Sequence, residues 1–202
     1  EVDHFRGASR FARVEDGWLV AFNQGEFGAA LYWFSMDGKR RYRMSQNQIN
    51  PQVVDFFPLG TGMGAIEGLD HLSISEGSII RIVRSSSRDR WRVETIARLP
   101  GAPYAIAVTK QGGSLVVLWD GLVAFDGRRR IDVFATDAPW SGLVPNSAVL
   151  SADETKLYIG MRQYVVEFDL ATQKPRFLLP AGAKLHQLSK QQEREIRASF
   201  SR

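Results

Sequence analysis

The residues of this chain that could do chemistry are few, and their spacing argues against most reactions. There are three histidines, His4, His71 and His186, and no cysteine. The histidines share no short spacing of the His-x-x-x-His kind, so neither a zinc site nor a serine-type triad is implied. Lack of cysteine removes disulfides, thiolate nucleophiles and Cys-ligated zinc together. Ser73, Ser75, Ser78 and the run from Ser85 to Ser87 have no glycine-flanked elbow to expose a nucleophile, and they read as turn and outer-strand residues. Gly60, Gly62 and Gly64 make a Gly-x-Gly-x-Gly array, but no helix follows to offer its dipole to a phosphate. What remains is suited to binding. Glu67 is an acid in a strand of small residues, Tyr104 and Asn146 open apolar strands, and Trp140 stands beside the turn Ser141-Gly142. A loop tryptophan offers apolar area and one donor to a ligand, which makes Trp140 the favoured residue of a binding face.

The elements that must position these groups are legible as repeats. Ala102 to Phe134 and Asn146 to Leu179 align when Leu115 is laid on Leu157, a period of about 42 residues. Each unit is a short apolar strand, a polar turn, an alternating strand, a second turn, a strand ending in Phe-Asp, and a final strand. Four strands per repeat is the sequence pattern of a β-propeller blade. The first blade reads as SRFARVE, WLVAFNQ, AALYWFSM and RRYRMS between Gly-containing turns. A polar stretch, Gln46 to Gln52, precedes a second blade in which the small residues of Gly62 to Gly68 suit an innermost strand. The expected blades are about 9–45, 53–100, 102–136 and 146–180, forming an all-β propeller over residues 1–181. Beyond it, residues 182–202 carry Leu185, Leu188, Gln192, Ile196 and Phe200 on one helical stripe, the pattern of a C-terminal amphipathic helix packed on a blade face.

Composition narrows the partners. A formal charge of +4 is mildly basic, and the arginines are scattered over outer strands and turns rather than gathered on one element, which argues against nucleic acid. Arg40-Arg41-Tyr42-Arg43 and Arg128 to Arg130 are the densest positive runs and read as solvated edges where charge blocks stray strand pairing. No apolar run is long enough to span a membrane as a helix. An opening Glu1 in place of methionine is expected of a chain trimmed of a signal peptide, hence periplasmic or secreted, or of a part of a longer protein. Oligomeric state leaves no mark in the sequence.

Val144 to Lys174 resembles blades of the gluconolactonase and regucalcin-like six-bladed propellers, and more loosely NHL-type repeats. Pro145-Asn146, Ser151-Ala152-Asp153, Leu157-Tyr158, Phe168-Asp169 and Thr172 carry the likeness. It implies a divalent, calcium-like cation held by oxygen ligands in a central channel, with Asn146 at the family's asparagine position and Glu67 the available carboxylate. Such a metal would serve lactone or ester hydrolysis. The chain departs from that pattern at Pro103-Tyr104-Ala105, where the family would offer an acid. The favoured expectation is therefore a non-catalytic propeller without cofactor, binding a protein or a small polar ligand at its loop face through Asn146, Glu67, Tyr104 and Trp140. Metal-dependent hydrolysis is the alternative.

Overall fold

The structure, a computed structural model, describes residues 7–44, 50–85, 90–138 and 140–179. The expected C-terminal helix lies outside the described residues. Among the described residues, sixteen strands form four antiparallel sheets of four strands each, every sheet built from consecutive strands. The first holds β1 (Ala8–Val14), β2 (Gly17–Asn23), β3 (Ala29–Ser35) and β4 (Arg41–Met44). The second holds β5 (Val53–Leu59), β6 (Gly62–His71), β7 (Ile74–Ser85) and β8 (Arg90–Leu99). The third comprises β9 (Pro103–Val108), β10 (Ser114–Leu118), β11 (Leu122–Phe125) and β12 (Ile131–Ala135). The fourth comprises β13 (Ser147–Leu150), β14 (Lys156–Gly160), β15 (Val165–Asp169) and β16 (Pro175–Leu178). Up-and-down sheets of this kind are the blades of a propeller.

The chain divides into two compact units, Glu1–Pro103 with Phe125–Ile131, and Tyr104–Ala124 with Asp132–Arg202. In the first unit, alternation along β2 sends Leu19 and Ala21 inward, where they meet Leu31, Trp33 and Met44 of their own sheet and Val53, Ala65, Ile80, Ile82 and Val93 of the next. The continuous apolar runs Ala29–Ser35 and Ser78-Ile79-Ile80 are buried on both faces, as middle strands sandwiched between layers must be. In the second unit the core is Ala105, Leu115, Val117 and Leu122 with Leu157, Ile159, Val166, Phe168 and Phe177.

One expectation about the second sheet is corrected. Gly62 to Gly68 does not form an edge strand: β6 pairs on one side with β5 and on the other with β7. The sequence Val53–Leu59 supplies the edge instead, because β6 continues without a break to His71 and turns there through Leu72 and Ser73, Leu72 adopting a φ of 53°. Small residues are needed in β6 and β7 for a different reason. Gly68 and Gly77 face each other across the two strands, and a Cβ on Gly77 would come within 2.5 Å of Pro103 Cδ and 2.9 Å of the Gly101 carbonyl oxygen. Replacing Gly77 by alanine is therefore expected to destabilise the first unit by roughly 1–3 kcal/mol, the usual cost of overpacking. Urea denaturation checks this, and an unchanged midpoint would show that Pro103 can retreat.

A candidate binding cavity at the end of the second sheet

The register of the second sheet builds a row of polar groups. Glu67 of β6 stands opposite Ser78 of β7, and Ser78 opposite Arg98 of β8, so the three side chains share one face. Ser78 is buried and its hydroxyl donates to Glu67 Oε1. A bulge in β8 skips Ile96, which brings Thr95 opposite Ile80 and onto the same face as Ser78. Beside this row lies a cavity of about 310 Å³, lined also by Asn50, Pro51, Gln52, Leu69 and Glu76. Its wall is the segment that leads from the first sheet into β5. Gln52 holds that wall in place through two hydrogen bonds. Its carbonyl oxygen accepts from the Gly68 amide at 3.0 Å, its Nε2 donates to the Gly25 carbonyl at 3.3 Å, and its Oε1 is buried with no partner among the described residues.

Of the expected site residues, only Glu67 lies at this cavity. Asn146 is exposed just ahead of β13, its amide donating to Gly160 O at 2.9 Å and its Oδ1 accepting from Ser147 Oγ at 3.0 Å. Tyr104 is half-buried on β9 with its ring tilted against Trp119, centroids 5.8 Å apart. Trp140 requires a correction. It is fully buried, edge-on to Phe168 with centroids 5.6 Å apart, and its Nε1 donates to Leu118 O at 3.1 Å. The turn that carries it folds inward because Ala138 N bonds Asp120 O and Leu143 N bonds Trp140 O. Trp140 thus offers a ligand no surface.

Other ionised groups are accounted for structurally. Glu167 is nearly buried, yet Arg176 donates to both its oxygens and Lys156 to one, and those bonds hold its carboxyl below the usual range. Asp126 Oδ1 accepts from the backbone amides of Arg128, Arg129 and Arg130, which makes that basic run a turn pinned by one acid. Ser35 and Ser151 build the same turn twice. In each, the serine Oγ donates to the aspartate two residues on at 2.6 Å and accepts from the backbone amide five residues on at 3.0 Å.

The residues do not fit the calcium-like cation implied by the resemblance. Calcium takes about six to eight oxygens, and among the described residues no three or more acids and histidines gather as a metal-holding group. Glu67 is engaged by Ser78 and Asn146 by Ser147. Among the described residues, too, no helix is long and apolar enough to cross a membrane.

Gln52, Ser78 and Arg98 are not singled out by sequence reasoning. Ser78 and Arg98 become neighbours of Glu67 only once the register of three strands is known, and splitting β6 at Gly68 conceals that register.

Four-stranded consecutive sheets define the fold as that of β-propeller blades. Comparison of whole folds agrees. It superposes with a TM-score of 0.58 on a chain of a nidogen/laminin complex at 13% identity, covering 89% of this chain and 66% of that one. Virginiamycin B lyase from Staphylococcus aureus gives a TM-score of 0.57 at 16% identity, covering 87% and 56%. The Dos1 propeller gives 0.55 at 14% identity, covering 88% and 49%. The chain thus spans from about half to just under two thirds of these structures. No protein-family profile and no curated protein sequence matches it.

Proposed function

We propose that the chain is a non-catalytic binding propeller that holds a protein segment or small polar ligand at the inter-blade end of its second sheet. The observation that carries this reading is the cavity between the segment entering β5 and the row Glu67, Ser78 and Arg98. It is concave, lined by charged and amide groups, and set on strands fixed by the core beneath, the combination expected of a recognition site. Among the described residues no histidine lines it to activate Ser78, whose proton already engages Glu67. A protein partner is supported by analogy with the nidogen/laminin complex, and the analogy extends to architecture alone.

Amide chemical shifts of Gln52, Glu67 and Ser78, followed through titration with small polar compounds and short peptides, test the location. Saturable movement confined to these amides is expected. Calorimetric titration with calcium and a screen of lactone hydrolysis are expected to be silent. Metal-dependent turnover would overturn the binding reading in favour of the hydrolase alternative.

A further inference from the structure

The lining of this cavity also specifies what enters it. Two carboxylates, Glu67 and Glu76, stand against one guanidinium, Arg98, and Arg98 lies exposed at the outer end of the row. Hydrogen-bond capacity leans the same way. Glu67 has one oxygen beyond its bond to Ser78, and Glu76 has two. An ionised carboxylate only accepts, and the group that fills its remaining oxygens must carry N–H or O–H. A group that is both positive and donor-only meets both demands.

The same sheet face continues outward as an apolar ledge. Leu69 pairs with Glu76 and His71 with Ile74, so Leu69, Ile74 and the cavity row lie on one side of the β6–β7 hairpin. Leu72 at its tip is 93% exposed and Ile74 is also exposed. Phe27, 81% exposed, stands on the short 3-10 turn Gly25–Phe27. That turn is tied to the hairpin by the contact of Glu26 Oε2 with His71 Nε2 and to the cavity wall by the Gln52 to Gly25 bond. Large apolar side chains held out on braced turns are a cost to solubility unless something covers them.

We propose that the occupant is a protein segment bearing an arginine or lysine next to a large apolar residue. The cation sits between Glu67 and Glu76, and the apolar neighbour lies on Leu72, Ile74 and Phe27. This rests on the binding reading above and goes further, since it fixes the charge of the ligand and adds the ledge.

The test is a titration of capped dipeptides into the whole chain, read by the amides of Gln52, Glu67, Ser78 and Leu72. Leucyl-arginine and leucyl-lysine are compared with leucyl-citrulline, leucyl-glutamate and seryl-arginine. Arginine and lysine peptides are expected to bind roughly tenfold or more tightly than citrulline, the scale of one charge-assisted hydrogen bond. Glu67→Gln, which keeps an acceptor for Ser78, and Glu76→Gln are expected to remove most of that preference, and Glu76→Gln, at an exposed position, to do so without changing the thermal midpoint. Leu72→Ser, at a fully exposed turn, is expected to weaken leucyl-arginine several-fold and leave seryl-arginine unchanged. Equal binding of citrulline or glutamate peptides would overturn the cation assignment and leave the cavity as a site. Indifference to Leu72→Ser would overturn the ledge. No response of these amides to any peptide or small polar compound would overturn both this inference and the reading beneath it.

Discussion

Replacing Trp140 by alanine is expected to cost the second unit roughly 3–5 kcal/mol, the range for removing a large aromatic from a packed core. The indole is wholly buried in a cluster with Ala138, Leu143, Phe168 and Phe177, and truncation leaves a void that these neighbours fill only in part. It also removes the donor to Leu118 O. Trp140→Phe separates the two losses, keeping most of the edge-on contact with Phe168 while giving up the hydrogen bond, for about 1 kcal/mol. Hydrogen exchange of amides in β14 and β15 reads both variants within the unit that carries the change. Unchanged protection in Trp140→Ala would show that the turn through Leu143 is not part of that core.

The same residue shows where sequence reading stops. Tandem Phe-Asp strands and Gly-containing turns are local signals, and they lead to all-β blades; the four sheets of the structure run from Ala8 to Met44, Val53 to Leu99, Pro103 to Ala135 and Ser147 to Leu178. Trp140 reads as a loop residue because Ser141 and Gly142 follow it, and a loop residue reads as exposed. Its burial goes with two bonds to distant partners, Ala138 N to Asp120 O and the indole Nε1 to Leu118 O, which no local pattern reports. Strand-interior Trp33, by contrast, lies in the continuous apolar run Ala29–Ser35, a local pattern that by itself points to burial, and it is in the core.

The candidate cavity was readable in one residue of its polar row. Glu67 stands out in the sequence as an acid among glycines and alanines. Ser78 and Arg98 do not, because a register shift of one residue exchanges the faces of a strand. The bulge at Ile96 is such a shift, and it places Thr95 and Arg98 on the same face despite their odd spacing. Gln52 belongs to a stretch that composition marks only as a linker. Its role follows from the bonds to Gly68 and Gly25, both of which depend on the packing of the first two sheets.

That packing is latched by a single carboxylate, and Asp16→Ala is expected to cost the first unit about 2–4 kcal/mol. Asp16 lies in the turn between β1 and β2, where Oδ1 accepts from Trp33 Nε1 at 3.0 Å and from Trp91 Nε1 at 2.8 Å, and Oδ2 lies 3.4 Å from an Arg84 nitrogen. Trp33 belongs to the first sheet, whereas Trp91 and Arg84 belong to the second. Hydrogen bonds to a charged group contribute about 1.5–3 kcal/mol each, and alanine leaves two partly buried indole donors unpaired. Tyr42 reinforces the latch: its hydroxyl oxygen accepts from Trp91 N at 2.6 Å and its ring stacks on Trp33 with centroids 5.1 Å apart. Burial pushes the Asp16 carboxyl up, but the bonds from Trp91 and Trp33 and the charge of Arg84 outweigh it and leave the group below its ordinary value. A carboxyl lowered in the folded state stabilises the fold above its unfolded pKa of about 3.9, and that contribution fades as pH falls from there through the folded value. Asp16→Asn keeps the shape and one acceptor while removing the charge. The stability gap between the natural chain and Asp16→Asn, measured by urea denaturation, is therefore expected to be largest at neutral pH and to narrow by pH 3. A gap that is the same at both pH values would show that the carboxylate's charge contributes nothing to the latch, and that its hydrogen-bonding shape alone joins the two sheets.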